Sequence, residues 1–162
     1  MTGTATVTVL GVGNPIMADD AIGLELVRRL AAVRPDPRIE YVDGGTGGMA
    51  LVPVVTAADR LLVLDAVAGP YPGAVVELSG DQLPRLLSSR LSPHQVGLLD
   101  VFAAARLLSS EPEEIAVVGI VPEDVSMRLG LTASVTAAVD GAVELAAQML
   151  DRWLVQVPEQ GA

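Results

Sequence analysis

The sequence predicts an α/β domain, a three-layer sandwich in which a twisted, mostly parallel sheet of about five strands is flanked by helices on both faces. Three observations lead to this fold class. Short apolar runs alternate along the chain with segments of helix length whose apolar residues recur three or four positions apart. Hydrophobic residues make up 51% of the 162 residues, which is enough for a large core. Aromatic residues make up only 2%, so this core must be built from Val, Leu, Ile and Ala.

The first half of the chain predicts three strands and two helices. In chain order these are a strand at 4–11, a helix at 20–33, a strand at 39–42, a helix at 50–58 and a strand at 60–65. The Arg-Pro-Asp-Pro turn at 34–37 ends the first helix, because proline cannot continue it. The second strand ends at Asp43, just before the glycine-rich sequence GGTGG. Pro53 lies inside the second helix, where it would interrupt the backbone hydrogen bonds.

The second half predicts two strands and two helices. They are a strand at 74–78 on an edge of the sheet, a helix at 96–109, a strand at 114–121 and a helix from Thr132 to about residue 155. The predicted buried faces are Leu24, Val27, Leu30 and Ala31 in the first helix, Leu99, Phe102, Ala103 and Leu107 in the third, and Val135, Val139, Ala142, Ala146, Met149 and Trp153 in the fourth. We expect residues 1–157 to form a single domain and residues 158–162 to be a disordered tail.

Composition excludes several classes of function. The formal net charge is −10 and the isoelectric point is near 4.3, which argues against a nucleic-acid or anionic-membrane partner, since both need a basic surface. All ten basic residues are arginine, so the chain has no phosphate-loop or Schiff-base lysine. It also lacks cysteine, which excludes a thiol nucleophile, a disulfide and a thiolate metal site. Because the sequence has neither a signal-peptide pattern nor a run long enough to span a bilayer, we expect a cytoplasmic protein.

Polar residues follow the predicted strands at the positions where α/β proteins bind ligands. Residues 14–20 follow the first strand, Asp43 ends the second and Asp65 ends the third, while His94, the single histidine, is predicted to lie in a loop. Ligands of such sheets bind beyond the carboxyl ends of the strands, near a switch in strand order. We therefore expect these side chains to contribute to one site.

Two carboxylates and one imidazole suit a divalent transition metal with open coordination positions. Asp19 and Asp20 stand where the first helix begins. A helix cap explains Asp20 as well as metal binding does, and Asp19 is better explained as a cap or as a carboxylate that supports the ligands. Asp65 follows four apolar residues, and a carboxylate buried at a strand end is costly unless it is paired or bound to metal. Nucleotide binding by the Gly-Val-Gly-Asn turn is another interpretation, although Ile16 occupies the position of the third glycine in that motif.

Five segments of the chain resemble the successive motifs of the maturation endopeptidases of nickel-iron hydrogenases. They are GVGNPIMADDAIG, DGGTGG, LLVLDAV, SPHQVGL and GIVPEDVSMRLGLT. Their order and spacing extend from about Val7 to about Ala147, which is nearly the whole domain. The resemblance implies a twisted sheet between helices and an enzyme that removes a short C-terminal extension from the hydrogenase large subunit after nickel has been inserted.

The resemblance also implies the site residues, the metal and the partner. Asp20, Asp65 and His94 match the positions at which the family contacts metal, and together with Asp43 they form the expected catalytic set. Asp43, or alternatively Asp19, would act as general base. The metal is expected to be nickel supplied by the substrate, and a surrogate divalent ion such as zinc or cadmium could occupy the same site. The expected partner is a hydrogenase large-subunit precursor, with no nucleic acid and no membrane involved.

A non-catalytic alternative uses the same three ligands. In that interpretation the protein is a chaperone that senses the metal in a hydrogenase subunit without cutting it. The mass of the partner before and after incubation separates the two functions, because only a protease changes it.

Overall fold

Five strands form one mixed sheet in the computed structural model, which describes residues 6–80 and 93–157, except for the side chains of residues 93–97 and Leu99. The strands are β1 (Val7–Val12), β2 (Ile39–Gly45), β3 (Arg60–Ala66), β4 (Val75–Ser79) and β5 (Glu114–Ile120). Their order across the sheet is β2-β1-β3-β5-β4. The first four strands in this order run parallel, and β4 pairs antiparallel with β5 at the edge, as predicted.

Helices cover both faces of this sheet. They are α1 (Ile22–Val33), α2 (Val52–Ala57), α3 (Pro93–Leu107) and α4 (Ala133–Val155), with short 3₁₀ helices at Ala18–Ala21 and Gly48–Leu51. One core cluster joins α1 and α4 to one face of the sheet, and a second joins α2 and α3 to the other face. The predicted three-layer α/β architecture is therefore confirmed.

The central strand β3 shows how the apolar runs form this core. Leu62 and Leu64 belong to the cluster under α1 and α4, whereas Leu61 and Val63 belong to the cluster on the opposite face. Successive side chains of a strand point to opposite faces, so a strand covered on both sides must be apolar at every position. This is why the buried strands appear in the sequence as continuous apolar runs.

Two predictions for the third helix are wrong. The backbone of His94 lies in the first turn of α3 and not in a loop, since the helix already begins at Pro93, a residue well suited to the first helical position. Ala103 and Leu107 are exposed, although both were assigned to the buried face. The buried side chains described on this helix are Leu98, Val101 and Ala105. The sequence of α3 has apolar residues on more than one side of the helix. Its packing against α2 therefore determines which of them are buried, and these differ from the predicted set.

Boundaries of other elements differ by a few residues. The strand β2 continues beyond Asp43, and the first predicted helix divides into the 3₁₀ helix Ala18–Ala21 and α1. Pro53 lies in the first turn of α2, where its missing N–H breaks no helical hydrogen bond. All six residues of the predicted stripe on α4 are buried, so that prediction is confirmed.

Two further expectations concern the chain end and the membrane. The predicted tail at 158–162 lies outside the described residues. In the part of the chain that is described, no helix combines the length and the apolar character needed to cross a membrane.

Candidate functional site

Two carboxylates lie at the carboxyl ends of neighbouring strands. The chain leaves β1 for β2 on one side of the sheet and then returns to β3 on the other side, so the strand order reverses between β1 and β3. Asp20 follows β1, and Asp65 is the penultimate residue of the adjacent strand β3. The structure therefore brings these two predicted site residues to the switch point of the sheet.

The Asp20 carboxylate is buried in the connection between β1 and α1. This residue lies in the 3₁₀ helix Ala18–Ala21 and is 1% exposed. The backbone N–H of Asn14 donates to Asp20 Oδ2 at 3.0 Å, and the N–H of Ile16 donates to Asn14 Oδ1 at 3.1 Å. In this described segment, neither the 3₁₀ helix nor α1 has a side-chain cap. The helix-cap explanation of Asp20 is therefore wrong.

Glycines allow this connection to pack directly on the strand ends. A Cβ atom on Gly13 would lie 2.2 Å from the carbonyl oxygen of Asp20. A Cβ atom on Gly23 would lie 2.2 Å from the carbonyl oxygens of both Val12 and Leu64. Since the opposing atoms belong to the backbone and cannot rotate away, only glycine permits this approach. The start of α1 is thereby held against the two strands that lead to the buried carboxylates.

Asp65 is fully buried at the end of β3. Its Oδ1 accepts a hydrogen bond from the backbone N–H of Ala66 at 2.7 Å. Burial of a charged carboxylate destabilises the folded protein unless hydrogen bonds or a bound ion compensate for the lost hydration. Its location at the switch point favours a functional explanation over that of a simple turn residue.

Asp43 is exposed on β2 and differs in this respect from the two buried carboxylates. Its Oδ1 accepts a hydrogen bond from the N–H of Gly45 at 3.0 Å. The register shifts beside it, because Gly11 pairs with Asp43 but Val12 pairs with Gly45, which leaves Gly44 as a bulge. Bulges redirect neighbouring side chains. Asp43 lines a cavity of about 520 Å³ next to the connection between β1 and α1.

This cavity extends from the connection along α1. Pro15, Ala18 and Ala21 line the cavity at the connection, and Glu25 and Arg28, which form an ion pair at 2.6 Å, line it further along α1. Asp43 is among the residues that line this cavity, whereas the buried Asp20 and Asp65 are not.

His94 belongs to the predicted ligand set, but its side chain lies outside the described residues. Among the side chains that are described, no group of three His, Asp or Glu residues could hold a metal ion. The assignment of Asp20, Asp65 and His94 as joint metal contacts therefore stays a prediction.

For Asp19, sequence reasoning favoured a cap or supporting carboxylate and missed the groups that this side chain contacts. This carboxylate is fully buried, and Oδ2 accepts hydrogen bonds from the N–H groups of Glu123 at 2.9 Å and Asp124 at 3.1 Å. The N–H of Thr132 donates to Oδ1 at 2.7 Å, and its hydroxyl donates to Oδ2 at 2.8 Å. Asp19 thus ties the 3₁₀ helix to the segment between β5 and α4.

These hydrogen bonds determine the charge state of Asp19. Burial raises the pKa of the carboxyl, but the hydrogen bonds from Thr132, Asp124 and Glu123 outweigh burial and hold the pKa below its ordinary value. A carboxylate with both oxygens occupied and a lowered pKa is a poor proton acceptor, which argues against Asp19 as the general base. The sequence contains no local signal for this role, since its partners lie more than a hundred positions away.

Known proteins share this sequence and architecture. A family model described as hydrogenase maturation protease matches residues 24–149. The chain is 37% identical over 142 residues to the hydrogenase 2 maturation protease of Escherichia coli K12, an alignment that covers 85% of this chain and 86% of the relative. It is 34% identical over 155 residues to the hydrogenase expression/formation protein HupD of Rhodobacter capsulatus, with 93% of this chain and 74% of the relative covered.

Solved structures of similar proteins have the same fold. The hydrogenase maturating endopeptidase HybD from Escherichia coli superposes with a TM-score of 0.84 at 36% identity, covering 91% of this chain and 93% of that one. The NiFe hydrogenase maturation protease HybD from Thermococcus kodakarensis superposes with a TM-score of 0.72 at 29% identity, covering 89% and 98%. The resemblance of the sequence motifs is thus confirmed, and the chain is a peptidase that belongs to the hydrogenase maturation protease family.

Proposed function

We propose that this peptidase removes a C-terminal extension from the nickel-loaded large subunit of a nickel-iron hydrogenase. The observation that carries the proposal is the burial of Asp20 and Asp65 at the carboxyl ends of two adjacent strands, in a member of a family of hydrogenase maturation proteases. The names of the relatives support a hydrogenase as the target, and one solved relative is named as a NiFe hydrogenase maturation protease.

In this proposal, Asp20, Asp65 and His94 contact the nickel ion that the precursor carries. Two carboxylates and one imidazole, without a thiolate, bind a divalent ion moderately. Moderate affinity suits an ion that arrives with the substrate and leaves with the product. The ion would polarise the scissile carbonyl or the attacking water. Zinc and cadmium ions are expected to occupy the same ligands as surrogates.

Asp43 is the better of the two candidate bases. Its carboxylate is exposed on the wall of the cavity, where it can take a proton from a water molecule, whereas both oxygens of Asp19 already accept hydrogen bonds. The water oxygen then bonds to the scissile carbonyl carbon, and the amide nitrogen leaves with a proton returned by the same base. A thiol acyl-enzyme does not arise, because the chain has no cysteine.

A cleavage assay with matched precursors tests this function. The protein is incubated with nickel-loaded and with nickel-free large-subunit precursor, and the products are weighed by mass spectrometry. We expect a C-terminal peptide to be lost from the nickel-loaded precursor alone. Intact precursor in both reactions, with nickel loading verified and a stable complex formed, would favour the non-catalytic chaperone. Cleavage in both reactions would retain the protease and refute recognition through nickel.

Substitutions at the proposed ligands test their roles in the same assay. We expect Asp65→Asn and His94→Ala to slow cleavage at least about a hundredfold, because each removes a metal contact. Asp20→Glu should retain activity that Asp20→Asn loses, since glutamate supplies the same carboxylate one methylene further out. The matched control is Asp140→Asn, at an exposed position on α4. Cleavage by the Asp65→Asn variant at the control rate would contradict the assignment.

A further inference from the structure

An exposed group of apolar side chains borders the connection that carries the buried Asp20. This apolar rim consists of Ile16, Met127 and Leu129, whose side chains are 48%, 78% and 77% exposed. Single large apolar side chains are common on protein surfaces, but a contiguous apolar patch typically marks an interaction site. The rim comes from two adjoining segments, and it therefore requires an explanation.

Backbone hydrogen bonds join the two segments of the apolar rim. The N–H of Arg128 donates to the carbonyl of Ile16 at 3.0 Å, and the N–H of Ala18 donates to the carbonyl of Arg128 at 2.8 Å. This pattern is a parallel bridge, and its register sets Ile16 beside Met127. The rim is thus continuous across the two segments.

Asp19 holds the rim in a fixed position relative to the candidate site. Its carboxylate accepts hydrogen bonds from residues at both ends of segment 123–132, and its own N–H donates to the carbonyl of Asp124 at 2.9 Å. Two of the three rim residues belong to this segment. Because the segment is already ordered in the free protein, a partner that binds there loses little free energy in arranging it.

A basic side chain beside the rim is paired with an acidic one. Arg128, which lies between its two most exposed members, pairs with Asp124 at 3.5 Å. The protein as a whole carries a net charge of −10, so the rim differs from the acidic character of the molecule. A partner that covers it must present apolar side chains.

We propose that the apolar rim is the surface on which the precursor polypeptide docks, through an apolar segment next to its metal-bearing end. This inference rests on the proposed function. The position of the rim argues for this occupant, because Ile16 belongs to the connection between β1 and α1 that also carries Asp20, the proposed contact of the substrate's metal. Segment 123–132 then extends the contact beyond that connection.

A double substitution tests the rim against a matched control. Met127→Gln combined with Leu129→Gln removes the apolar character of two exposed side chains without disturbing the core. Leu107→Gln combined with Val155→Gln makes the same change at positions 86% and 87% exposed. Those two residues lie at the C-terminal ends of α3 and α4. The end of α4 lies near the start of β3, away from Asp65, because Arg60 donates a hydrogen bond to Gln156 at 3.0 Å. The kinetics of precursor cleavage, the affinity for nickel-loaded precursor and the sedimentation of each variant are then compared.

We expect the rim variant to raise KM about tenfold or more with kcat unchanged, while the control variant matches the unsubstituted protein. The difference in KM should persist at about 0.5 M salt, because the contact is apolar. Equal KM and equal affinity in the two variants would overturn the proposal, as would loss of self-association in the rim variant with KM unchanged, since the rim would then join two copies of this chain.

If the unsubstituted protein does not cleave the precursor, the proposed function fails, and the binding measurement still decides the role of the rim. Weaker binding of precursor by the rim variant than by the control variant supports docking there. Equal binding overturns it.

Discussion

At Asp19, a single carboxylate joins parts of the chain that lie 104 to 113 positions apart. A buried carboxylate without partners would be strongly destabilising, and here four donors compensate for its burial. The fold therefore stabilises the charged form, in agreement with the lowered pKa of this group. These contacts also fix the 3₁₀ helix that carries the neighbouring Asp20 relative to segment 123–132.

Asp19→Asn should lower the free energy of unfolding by about 2–4 kcal/mol, because an amide nitrogen would face N–H groups that need an acceptor. Urea denaturation at neutral pH measures the change. Asp140→Asn, at a side chain 98% exposed, is the control and should change stability by less than about 0.5 kcal/mol.

The pH dependence of this effect has a defined sign. Because the folded pKa of Asp19 lies below the unfolded value, its contribution is complete above the unfolded value and is lost as pH falls through the folded one. The difference in stability between the unsubstituted protein and the Asp19→Asn variant should therefore shrink in acid. Equal stability of the two proteins at neutral pH would contradict the role assigned to Asp19.

The placement of individual residues was predictable to different degrees. The position of Asp20 and Asp65 at the switch point could be predicted because each follows a predicted strand, and the carboxyl ends of parallel strands meet at one end of the sheet. The role of Asp19 could not be found in this way, because its donors Glu123, Asp124 and Thr132 approach it only through tertiary folding. Local sequence patterns indicate helices, strands and their ends, but they do not indicate hydrogen bonds between residues that are distant in the sequence.

Among the elements, the start of α1 depends on one small residue. Gly23 brings this helix against the carbonyl oxygens of Val12 and Leu64, with no space for a Cβ atom. Gly141 on α4 is the opposite case, since a Cβ atom there would meet nothing within 4 Å. Both glycines lie in helices, and they differ in the space that surrounds the Cα atom.

Alanine at these two positions should have opposite effects. We expect Gly23→Ala to destabilise the protein by about 3 kcal/mol, because the helix must move away from two strand ends. Gly141→Ala should stabilise it by about 0.5–1 kcal/mol, because alanine restricts the unfolded chain and fits the helix. Thermal and urea denaturation of both variants check the signs. Destabilisation by both substitutions, or by neither, would show that the close approach at Gly23 does not limit the fold.

The distribution of apolar residues around each helix explains which buried faces could be predicted from the sequence. The core stripe of α4 was correct because polar residues on its other side leave one apolar face. The stripe on α3 was wrong because apolar residues lie all around that helix, so the pattern alone could not select Leu98, Val101 and Ala105 over Ala103 and Leu107. The elements that α3 contacts determine which of its side chains are buried.

For the whole molecule, acidic charge acts on stability in two opposing ways. The net charge of −10 at neutral pH favours expansion through self-repulsion, and this repulsion weakens as pH falls towards the isoelectric point near 4.3. Several carboxyl groups have the opposite effect on stability as pH falls. Their pKa values are lower in the folded protein than in the unfolded chain, so protonation in acid favours the unfolded chain. A side-chain hydrogen bond from Arg38 lowers the pKa of Asp36 to about 2, and one from Arg29 lowers the pKa of Glu25.

These two effects together predict a maximum of stability between about pH 5 and pH 6. Below that range the unfolded chain binds more protons than the folded protein, so the free energy of unfolding should fall as pH decreases towards the folded pKa of Asp36, about 2. Urea denaturation at a series of pH values measures the curve. Asp36→Asn should be less stable than the unsubstituted protein at neutral pH, and the two curves should converge in strong acid because the Asp36 carboxylate is then protonated in both states. A stability that rises continuously down to pH 3 would show that charge repulsion, and not the hydrogen-bonded carboxylates, controls the acid response of this protein.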